Sequence, residues 1–234
     1  MKHAAALLAL LLAVAAWARA EAPATVRALY EVHRDGLHVA TAAETFERGE
    51  GKYQIVSEQT PAGLLAMFVR TRARVTSAGT VTNQGLQPAQ FDYGRLDDAS
   101  KNVSARFDWD AGLLRMSFDG RTETAPLGSG AQDRLSAMYQ FLFLAPENVR
   151  ELSFPMTSNG KKLEPYHYRF AGEETLDTAL GRLKTLHLVK RREGNENGVE
   201  LWLAAEHHLM PVKLLIVETD GTRFEQTIAR LEMR

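Results

Sequence analysis

Few side chains in this sequence could bind a metal ion, and their spacing does not follow a known metal-binding motif. The candidates are His167, His187, His207, His208 and Glu206. His207 and His208 are adjacent, and adjacent residues of a regular strand point to opposite faces of a sheet. Only a loop would bring both imidazoles to one ion, so we predict no metal site.

Two acidic pairs, Glu173-Glu174 and Asp97-Asp98, raise the question of a hydrolase. Glycoside hydrolysis, however, needs two carboxylates that converge from different elements, and adjacency in sequence does not provide this. The chain also lacks a Gly-x-Ser-x-Gly elbow, a His-Glu-x-x-His pair and a Walker loop. We therefore assign no catalytic residue, and a hydrolase of unknown substrate stays an alternative interpretation.

Three arginines at alternate positions, Arg70, Arg72 and Arg74, form the clearest charge feature of the sequence. On one face of a strand they would make a positive stripe that could bind phosphate or carboxylate groups. A solvated sheet face with acidic partners on the neighbouring strand explains the same spacing. We favour this second interpretation.

His187 and Glu200 are two further polar candidates. His187 shares the strand parity of Val189, which predicts a half-buried, hydrogen-bonded histidine. If the segments around the two residues pair as neighbouring strands, Glu200 could accept a hydrogen bond from His187 or from an arginine across the pair. In the same arrangement we expect Trp202 and Leu186 to fill the core.

Composition excludes several classes of protein. Among the 234 residues, 28 Lys and Arg balance 29 Asp and Glu, without the basic excess of a nucleic-acid-binding protein. The absence of cysteine excludes disulfides, thiolate metal ligands, a cysteine nucleophile and a lipidated N-terminal cysteine. We expect no nucleic-acid partner, and nothing in the sequence indicates a cofactor.

The first twenty residues have the order of a secretory signal peptide. A short basic start precedes the apolar run Ala4–Trp17, and Ala18-Arg19-Ala20 supplies small residues where a signal peptidase cuts. The run has 14 residues, fewer than the about 20 that span a bilayer. We predict cleavage after Ala20 and a periplasmic protein without a transmembrane segment. Its net charge would be −3, because the leader holds two basic residues and no acid, and residues 21–234 would form one β-rich domain.

Hydrophobic and polar residues alternate through much of the remaining chain, which predicts strands with one buried face. Dipeptides that tolerate positive φ separate these runs and predict tight hairpin turns. They are Asp35-Gly36, Asp119-Gly120, Asn159-Gly160, Asn197-Gly198 and Asp220-Gly221. This spacing favours an antiparallel meander over strand–helix–strand units.

One segment departs from the two-residue period. Apolar residues recur at helical spacing at Leu135, Met138 and Leu142, which predicts one helix near 133–144 with Asp133 as its N-cap. The apolar stripe of this helix needs a concave apolar surface. We therefore predict an all-β, mainly antiparallel fold, in which a strongly curved sheet forms a half-barrel or barrel with one covering helix.

Several segments occur together in an order typical of one bacterial family. They are Gln132–Tyr139, Gly172-Glu173-Glu174, Leu180-Gly181-Arg182-Leu183 and Glu200-Leu201-Trp202-Leu203-Ala204. The order resembles the bacterial domain of unknown function family 3108, although this chain has Ala205 where the family usually has proline. The resemblance implies a β-rich protein exported to the periplasm. It implies no catalytic residue, because none is established for the family.

A curved sheet in the periplasm predicts a non-enzymatic binding or carrier protein for an apolar or amphiphilic ligand, such as a lipid. The mouth of a barrel is a common site for small ligands. Bulky residues that could line it are Phe68, Trp109, Met116, Tyr139, Phe143 and Trp202. Core packing explains the same residues. The alternative is an envelope-assembly or scaffolding factor that acts through a protein partner, since fold alone does not assign function.

Overall fold

The structure is a computed structural model that describes residues 21–67, 72–95, 97–192 and 194–234. Within these residues fifteen strands form one continuous sheet. The first eight are β1 (Thr25–Arg34), β2 (Leu37–Gly49), β3 (Lys52–Pro61), β4 (Ala73–Thr82), β5 (Gly85–Arg95), β6 (Val103–Asp108), β7 (Leu113–Phe118) and β8 (Arg121–Pro126). The other seven are β9 (Gln132–Asp133), β10 (Glu151–Thr157), β11 (Glu164–Thr178), β12 (Gly181–Lys190), β13 (Gly198–Ala204), β14 (Met210–Val217) and β15 (Arg223–Met233).

The sheet is a meander whose two halves meet at the chain termini. Its strand order is β8-β7-β6-β5-β4-β3-β2-β1-β15-β14-β13-β12-β11-β10-β9, so the first and last strands pair at the centre. Neighbouring strands are antiparallel, and within the described ranges the short pair of β9 and β10 is the one parallel exception. The prediction of an all-β, mainly antiparallel fold is confirmed.

Positive φ angles at the hairpin turns account for the tight connections. Asp35 and Gly36 join β1 to β2 with φ angles of 48° and 82°, the signs that a type I′ turn requires. Glu50 and Gly51 join β2 to β3 in the same way, with φ of 52° and 72°. The sequence pattern did not reveal this second turn, because Asn and Asp are the usual non-glycine residues in that conformation.

The helix α1 (Arg134–Gln140) follows β9 directly and continues as a 3₁₀ turn over Phe141–Phe143. Asp133 is its N-cap, as predicted: its Oδ1 accepts hydrogen bonds from the backbone amides of Leu135 and Ser136 at 2.9 and 3.0 Å. The Ser136 hydroxyl in turn accepts from the Asp133 amide at 2.9 Å. These bonds satisfy backbone donors that a buried helix end would otherwise leave unpaired.

Contacts of α1 with distant strands show how strongly the sheet curves. Gln140 accepts a hydrogen bond from the amide of Leu86 on β5 at 2.7 Å, while Phe141 packs in a cluster with Leu201 of β13. Those strands are seven positions apart in the sheet, about 34 Å if it were flat. A helix is only about 10–12 Å wide, so the sheet must curl around α1. This confirms the predicted curved sheet and places the helix on its concave side.

The two ends of the sheet also approach each other. Gln132 on β9 donates a hydrogen bond from Nε2 to the carbonyl oxygen of Leu86 on β5 at 2.9 Å. β9 is the last strand in the sheet order and β5 the fourth from the other end. The curved sheet therefore nearly closes at this contact, and β6, β7 and β8 extend beyond it.

Two apolar clusters fill the concave side, and the helical segment contributes to both. The first contains Phe46, Phe91 and Leu114 from the first half of the chain together with Tyr139 of α1. The second contains residues of β11, β12 and β13 together with Ala137 of α1. Burying one such side chain contributes roughly 1.5–3 kcal/mol, so α1 joins the two halves by apolar contact as well as by hydrogen bonds.

Asp133 allows a direct test of how much the helix depends on its cap. Asp133→Ala should lower the free energy of unfolding by about 2 kcal/mol, because it removes the cap and takes the acceptor from the buried Ser77 hydroxyl. Asp133→Asn keeps an acceptor oxygen, so its free energy of unfolding should fall by less than that of Asp133→Ala. Urea unfolding followed by circular dichroism measures both. Asp98→Ala removes the cap of an exposed 3₁₀ turn and is the control, with an expected change below about 0.5 kcal/mol. Equal losses at both positions would contradict this role.

Candidate ligand-binding cavity

A cavity of about 240 Å³ lies between α1 and the concave face of the sheet. Most of its wall is apolar, from Leu135, Met138, Met156, Tyr166, Tyr168, Val199, Leu214 and Ile216. Its polar wall consists of Glu44, Gln59, Arg134, Ser158 and Gln226. The cavity thus combines apolar surface with a few polar groups, as small-ligand sites commonly do, although its volume is below their usual range of about 300–1,000 Å³.

Strand alternation decides which residues reach this cavity. On β14, Leu214 and Ile216 line the cavity. Lys213 has the opposite parity and pairs through its ammonium with Glu225 at 3.0 Å. On α1, Met138 follows Leu135 by three residues, so both side chains lie on the same side of the helix. The side chains of the cavity therefore come from regular elements that fix their direction.

Glu44 is the buried acid of the cavity, with only 8% of its surface exposed. Its Oε2 accepts a hydrogen bond from the Tyr139 hydroxyl at 3.2 Å. Burial raises the pKa of Glu44, and the nearby hydroxyls of Ser57 and Tyr139 and the charge of Arg134 offset this only in part. Burial, followed by the charge of Glu44, also raises the pKa of Tyr139 and of Tyr30 well above the ordinary value.

Arg134 is the cation of the cavity wall, and it is incompletely paired. Its guanidinium carbon lies 5.6 Å from the ring centre of Tyr93 and 5.9 Å from that of Phe91. Its Nη2 is buried and has no hydrogen-bond partner among the residues that the structure describes. The hydroxyl of Tyr168, another residue of the wall, is likewise buried without a hydrogen-bond partner among the described residues. Buried polar groups without partners cost roughly 1–3 kcal/mol each, a cost that a bound polar group or water could remove.

The bulky residues predicted to line a ligand site are not brought together around this cavity. Met116 and Tyr139 are buried in the first apolar cluster, at 3% and 0% exposure. Phe143 packs edge-on against Phe46 with ring centres 6.4 Å apart. Trp109 donates from Nε1 to the carbonyl of Pro88 at 2.7 Å and lines a separate groove beside β5 and β10.

Phe68 lies outside the described residues, as does Arg70. Arg72 is exposed, and Arg74 forms an ion pair with Glu58, the residue opposite it on β3, at 2.7 Å. For Arg74 the interpretation as a solvated face with an acidic cross-strand partner is therefore confirmed.

Trp202 is buried, as expected, but it does not lie on the same face as Leu186. On β13 and β12 it pairs with His187, whereas Leu186 pairs with Leu203 on the concave side. Trp202 is only 6% exposed, yet it lies on the outer face, where its ring stacks on the imidazole of His187 at 4.3 Å. On β13 the charged Glu200 shares the parity of Trp202, whereas Val199, Leu201 and Leu203 form the apolar face. The alternation of the strand therefore already indicated that Trp202 points away from these three residues.

His187 is held between two carboxylates on that outer face. Its Nε2 lies 2.8 Å from Glu200, which confirms the predicted hydrogen bond, and its Nδ1 lies 2.9 Å from Glu174. Glu174 also accepts from the indole nitrogen of Trp202 at 2.8 Å, and the ammonium of Lys213 lies 5.0 Å from the Trp202 ring. These contacts cover the apolar ring of Trp202 with polar side chains. A structural role therefore accounts for His187, Glu174 and Lys213 in this network. No group of three or more potential metal ligands occurs in the part of the chain that the structure describes.

The residues that sequence reasoning missed are Glu44, Arg134 and Tyr168. For Glu44 a signal exists, because it stands between Ala42 and Phe46 on the buried parity of β2. A charged residue at an inward position is unusual and often marks a functional or buried polar group. Arg134 and Tyr168 carry no comparable pattern.

The fold and its cavity define a class of protein: a β-barrel-like sheet that holds a helix on its concave side. The particular family follows from comparison of the sequence. Residues 29–228 match the family described as "Protein of unknown function (DUF3108)", and the chain belongs to this family. This confirms the resemblance drawn from the sequence segments. Comparison with curated proteins finds no match.

Comparison with solved structures finds similar chains at low sequence identity. A β-barrel-like protein of the domain of unknown function DUF1849 from Brucella abortus is 9% identical, with a TM-score of 0.59 over 92% of this chain and 100% of its own. An exported-protein candidate with a YmcC-like fold from Bacteroides fragilis has a TM-score of 0.38 at 9% identity, over 91% of this chain and 97% of its own. A lipoprotein candidate from Parabacteroides distasonis has a TM-score of 0.37 at 9% identity, over 90% of this chain and 95% of its own. The first of these supports the barrel-like fold.

Because Glu44 is buried, the stability of the protein should depend on pH in a way that can be tested. A raised pKa in the folded state means that the folded protein holds a proton that the unfolded chain releases above the ordinary value of 4.5. The stability contribution of Glu44 should therefore fall as pH rises above 4.5. Glu44→Gln cannot ionise, so the free energy of unfolding of this variant minus that of the wild type should grow between about pH 4.5 and 7.

Urea unfolding at several pH values measures this difference. Glu47→Gln, an exposed position on the same strand, supplies the background change that any Glu-to-Gln replacement produces. If the difference for Glu44→Gln stays constant across the range, the acid is not buried as the structure places it.

Proposed function

We propose that this protein is a non-enzymatic binding or carrier protein for a small amphiphilic molecule, which it holds in the cavity beside α1. The observation that carries the proposal is the composition of the cavity wall. Leu214, Ile216 and Met156 offer apolar contact, while Arg134 and Glu44 offer polar contact. An amphiphile has the same division between an apolar chain and a polar head.

Unpaired polar groups in the wall favour a polar head over a purely apolar ligand. The Arg134 guanidinium and the Tyr168 hydroxyl both retain unmet hydrogen-bonding capacity in a buried position. A carboxylate or phosphate oxygen would satisfy such donors and stabilise the bound state. The methionines of the wall, Met138 and Met156, are flexible and adapt to chains of different shape.

Binding is favoured over hydrolysis by the state of the cavity acid. Glu44 accepts from Tyr139 and its raised pKa favours the neutral form, whereas a hydrolytic pair needs a second, converging carboxylate. Glu44 is the one carboxylic acid among the lining residues that the structure describes. The role of an envelope-assembly factor stays a prediction.

We also propose that binding takes place in the periplasm, after removal of residues 1–20. The support is the order of the leader, a basic start, a 14-residue apolar run and an Ala-x-Ala site. In the part of the chain that the structure describes, no helix is long and apolar enough to cross a membrane.

A cavity-filling variant with a matched control tests the binding role. Ile216→Trp should occupy the cavity and weaken binding of the fluorescent apolar probe N-phenyl-1-naphthylamine by at least about tenfold. Val217→Trp adds the same ring one residue further along β14, on the opposite parity, and should bind like the wild type. Probe titration measures both, and thermal unfolding checks that the variants fold.

Native mass spectrometry of protein purified from bacterial cells gives an independent reading, with an expected extra mass from a co-purified amphiphile. The proposal is wrong if the wild type shows neither saturable probe binding nor an extra mass. It is also wrong if Ile216→Trp and Val217→Trp bind the probe equally.

A further inference from the structure

A second site, the seam groove, lies where the curved sheet nearly closes. It has a volume of about 430 Å³ and is bounded by the start of β5, by β10 and by the helical segment that begins with α1. Ala137, Gln140 and Phe141 line it at spacings of three and four residues. They form a different face of that segment from Leu135 and Met138, which line the cavity. The volume is within the usual range of small-ligand sites, about 300–1,000 Å³.

Uncharged side chains line the seam groove. Among its described lining residues none is acidic, basic or a histidine. A charged ligand would therefore be buried here without an ion-pair partner, which is costly. The polar groups of the wall are four glutamine amides and three hydroxyls. Amides and hydroxyls both donate and accept hydrogen bonds, so they match an uncharged ligand that does the same.

Gln132 supplies an unused acceptor in this wall. The residue is 4% exposed, and its Nε2 donates to the carbonyl of Leu86 at 2.9 Å. This bond fixes the orientation of the amide and leaves Oε1 buried without a hydrogen-bond partner among the described residues. The neighbouring Gln140 uses both ends of its amide, with the Leu86 amide and the Gln84 carbonyl. The ligand therefore has to bring a donor for Gln132, and a carboxylate or a hydrocarbon chain brings none.

Trp109 gives the seam groove a flat wall of fixed orientation. Its Nε1 donates to the carbonyl of Pro88 at 2.7 Å, and its ring stacks on Phe107 with ring centres 6.2 Å apart. The ring is only partly buried, and it lines the groove. The face of an aromatic ring carries partial negative charge and attracts C–H groups of partial positive charge. A sugar ring presents such a C–H face, and its hydroxyls are donors for Gln132.

The edge of β10 favours a compact ligand over an added peptide strand. Met156 and Thr157 pair with β9, and the groove borders the three residues Leu152–Phe154 before them. An added strand needs a row of free backbone donors and acceptors. Pro155 has no N–H, and a Cβ atom at Gly128 would lie only 2.9 Å from the Cγ of Pro155. Backbone pairing along this edge is therefore interrupted next to the groove.

We propose that the seam groove binds a short uncharged saccharide. A hydroxyl of the sugar donates to Oε1 of Gln132, and a C–H face packs on the ring of Trp109. This inference goes beyond the carrier role and does not depend on it, because the seam groove and the cavity share no lining residue among those that the structure describes.

Tryptophan fluorescence reports directly on this site. The chain without residues 1–20 keeps all fifteen strands and has two tryptophans, Trp109 and Trp202. Trp202→Phe leaves Trp109 as the single indole and is the background for all variants. Titration with cellotriose, maltotriose or tri-N-acetylchitotriose to about 10 mM should give a saturable change in emission with at least one of them. Trigalacturonic acid, which carries carboxylates, should bind at least about tenfold more weakly.

Two variants with matched controls locate the binding. Gln132→Met removes the unused acceptor and should weaken binding by about fivefold, as expected for one hydrogen bond. Because this change also removes the bond to Leu86, Ser153→Phe adds a ring at an exposed lining position and should weaken binding by at least about tenfold. The controls are Gln90→Met on β5 and Thr124→Phe on β8, both exposed and outside the described lining residues. They should bind like the background protein, and thermal unfolding checks that each variant folds.

Three results would overturn the proposal. The first is no saturable change with any of the three saccharides, and the second is equal binding by the groove variants and their controls. The third is tighter binding of the uncharged peptide N-acetyl-trialanine amide than of any saccharide, which would make the seam groove a peptide site. Saccharide binding that persists in Ile216→Trp, where probe binding is lost, would support the seam groove separately from the cavity.

Discussion

α1 lies on the concave side of the sheet, and every polar group at its N-terminus has to find a partner inside the protein. Asp133 meets this constraint: one carboxylate oxygen caps the helix, and the other accepts from the Ser77 hydroxyl of β4 at 2.6 Å. Ser77 is itself fully buried and lies 3.1 Å from the hydroxyl of Tyr53. A helix end without such partners would be costly in this position, so the packing of both apolar clusters depends on these bonds.

The buried charges around the helix impose a cost that the fold does not remove. Burial raises the pKa of Glu44 and Asp133 and lowers that of Arg134, which means that each group is less stable in its charged form than in water. At Glu44 and Arg134, which line the cavity, an apolar replacement would avoid this cost, as often holds for buried ion pairs. Their presence there supports the proposal that they contact a ligand, whereas Asp133 is needed as the cap of α1.

The two faces of the sheet have different uses. On the outer face, Trp202 is covered by His187 and by the ammonium of Lys213, so an aromatic ring is buried without a second layer of structure. On the concave face, the helix fills most of the volume and leaves the cavity beside Met138. The outer network stabilises strand pairing, whereas the inner face leaves space for a small molecule.

Much of the fold could be predicted from local patterns, because alternation, helical spacing and turn dipeptides act over a few residues. The cap at Asp133, the turn at Asp35-Gly36 and the contact of His187 with Glu200 are of this kind. The turn at Glu50-Gly51 was missed, because glutamate gives little sign that it will adopt a positive φ.

The sequence by itself determined the alternating strands, the helix that begins after Asp133 and the segments shared with the family. Only the tertiary structure decided which residues meet around α1. Glu44 and Arg134, for example, are 90 positions apart in the sequence and line one cavity. The reason is physical: strand parity fixes that neighbours point to opposite faces, but the curvature of the whole sheet and its packing on the helix decide which face is inside.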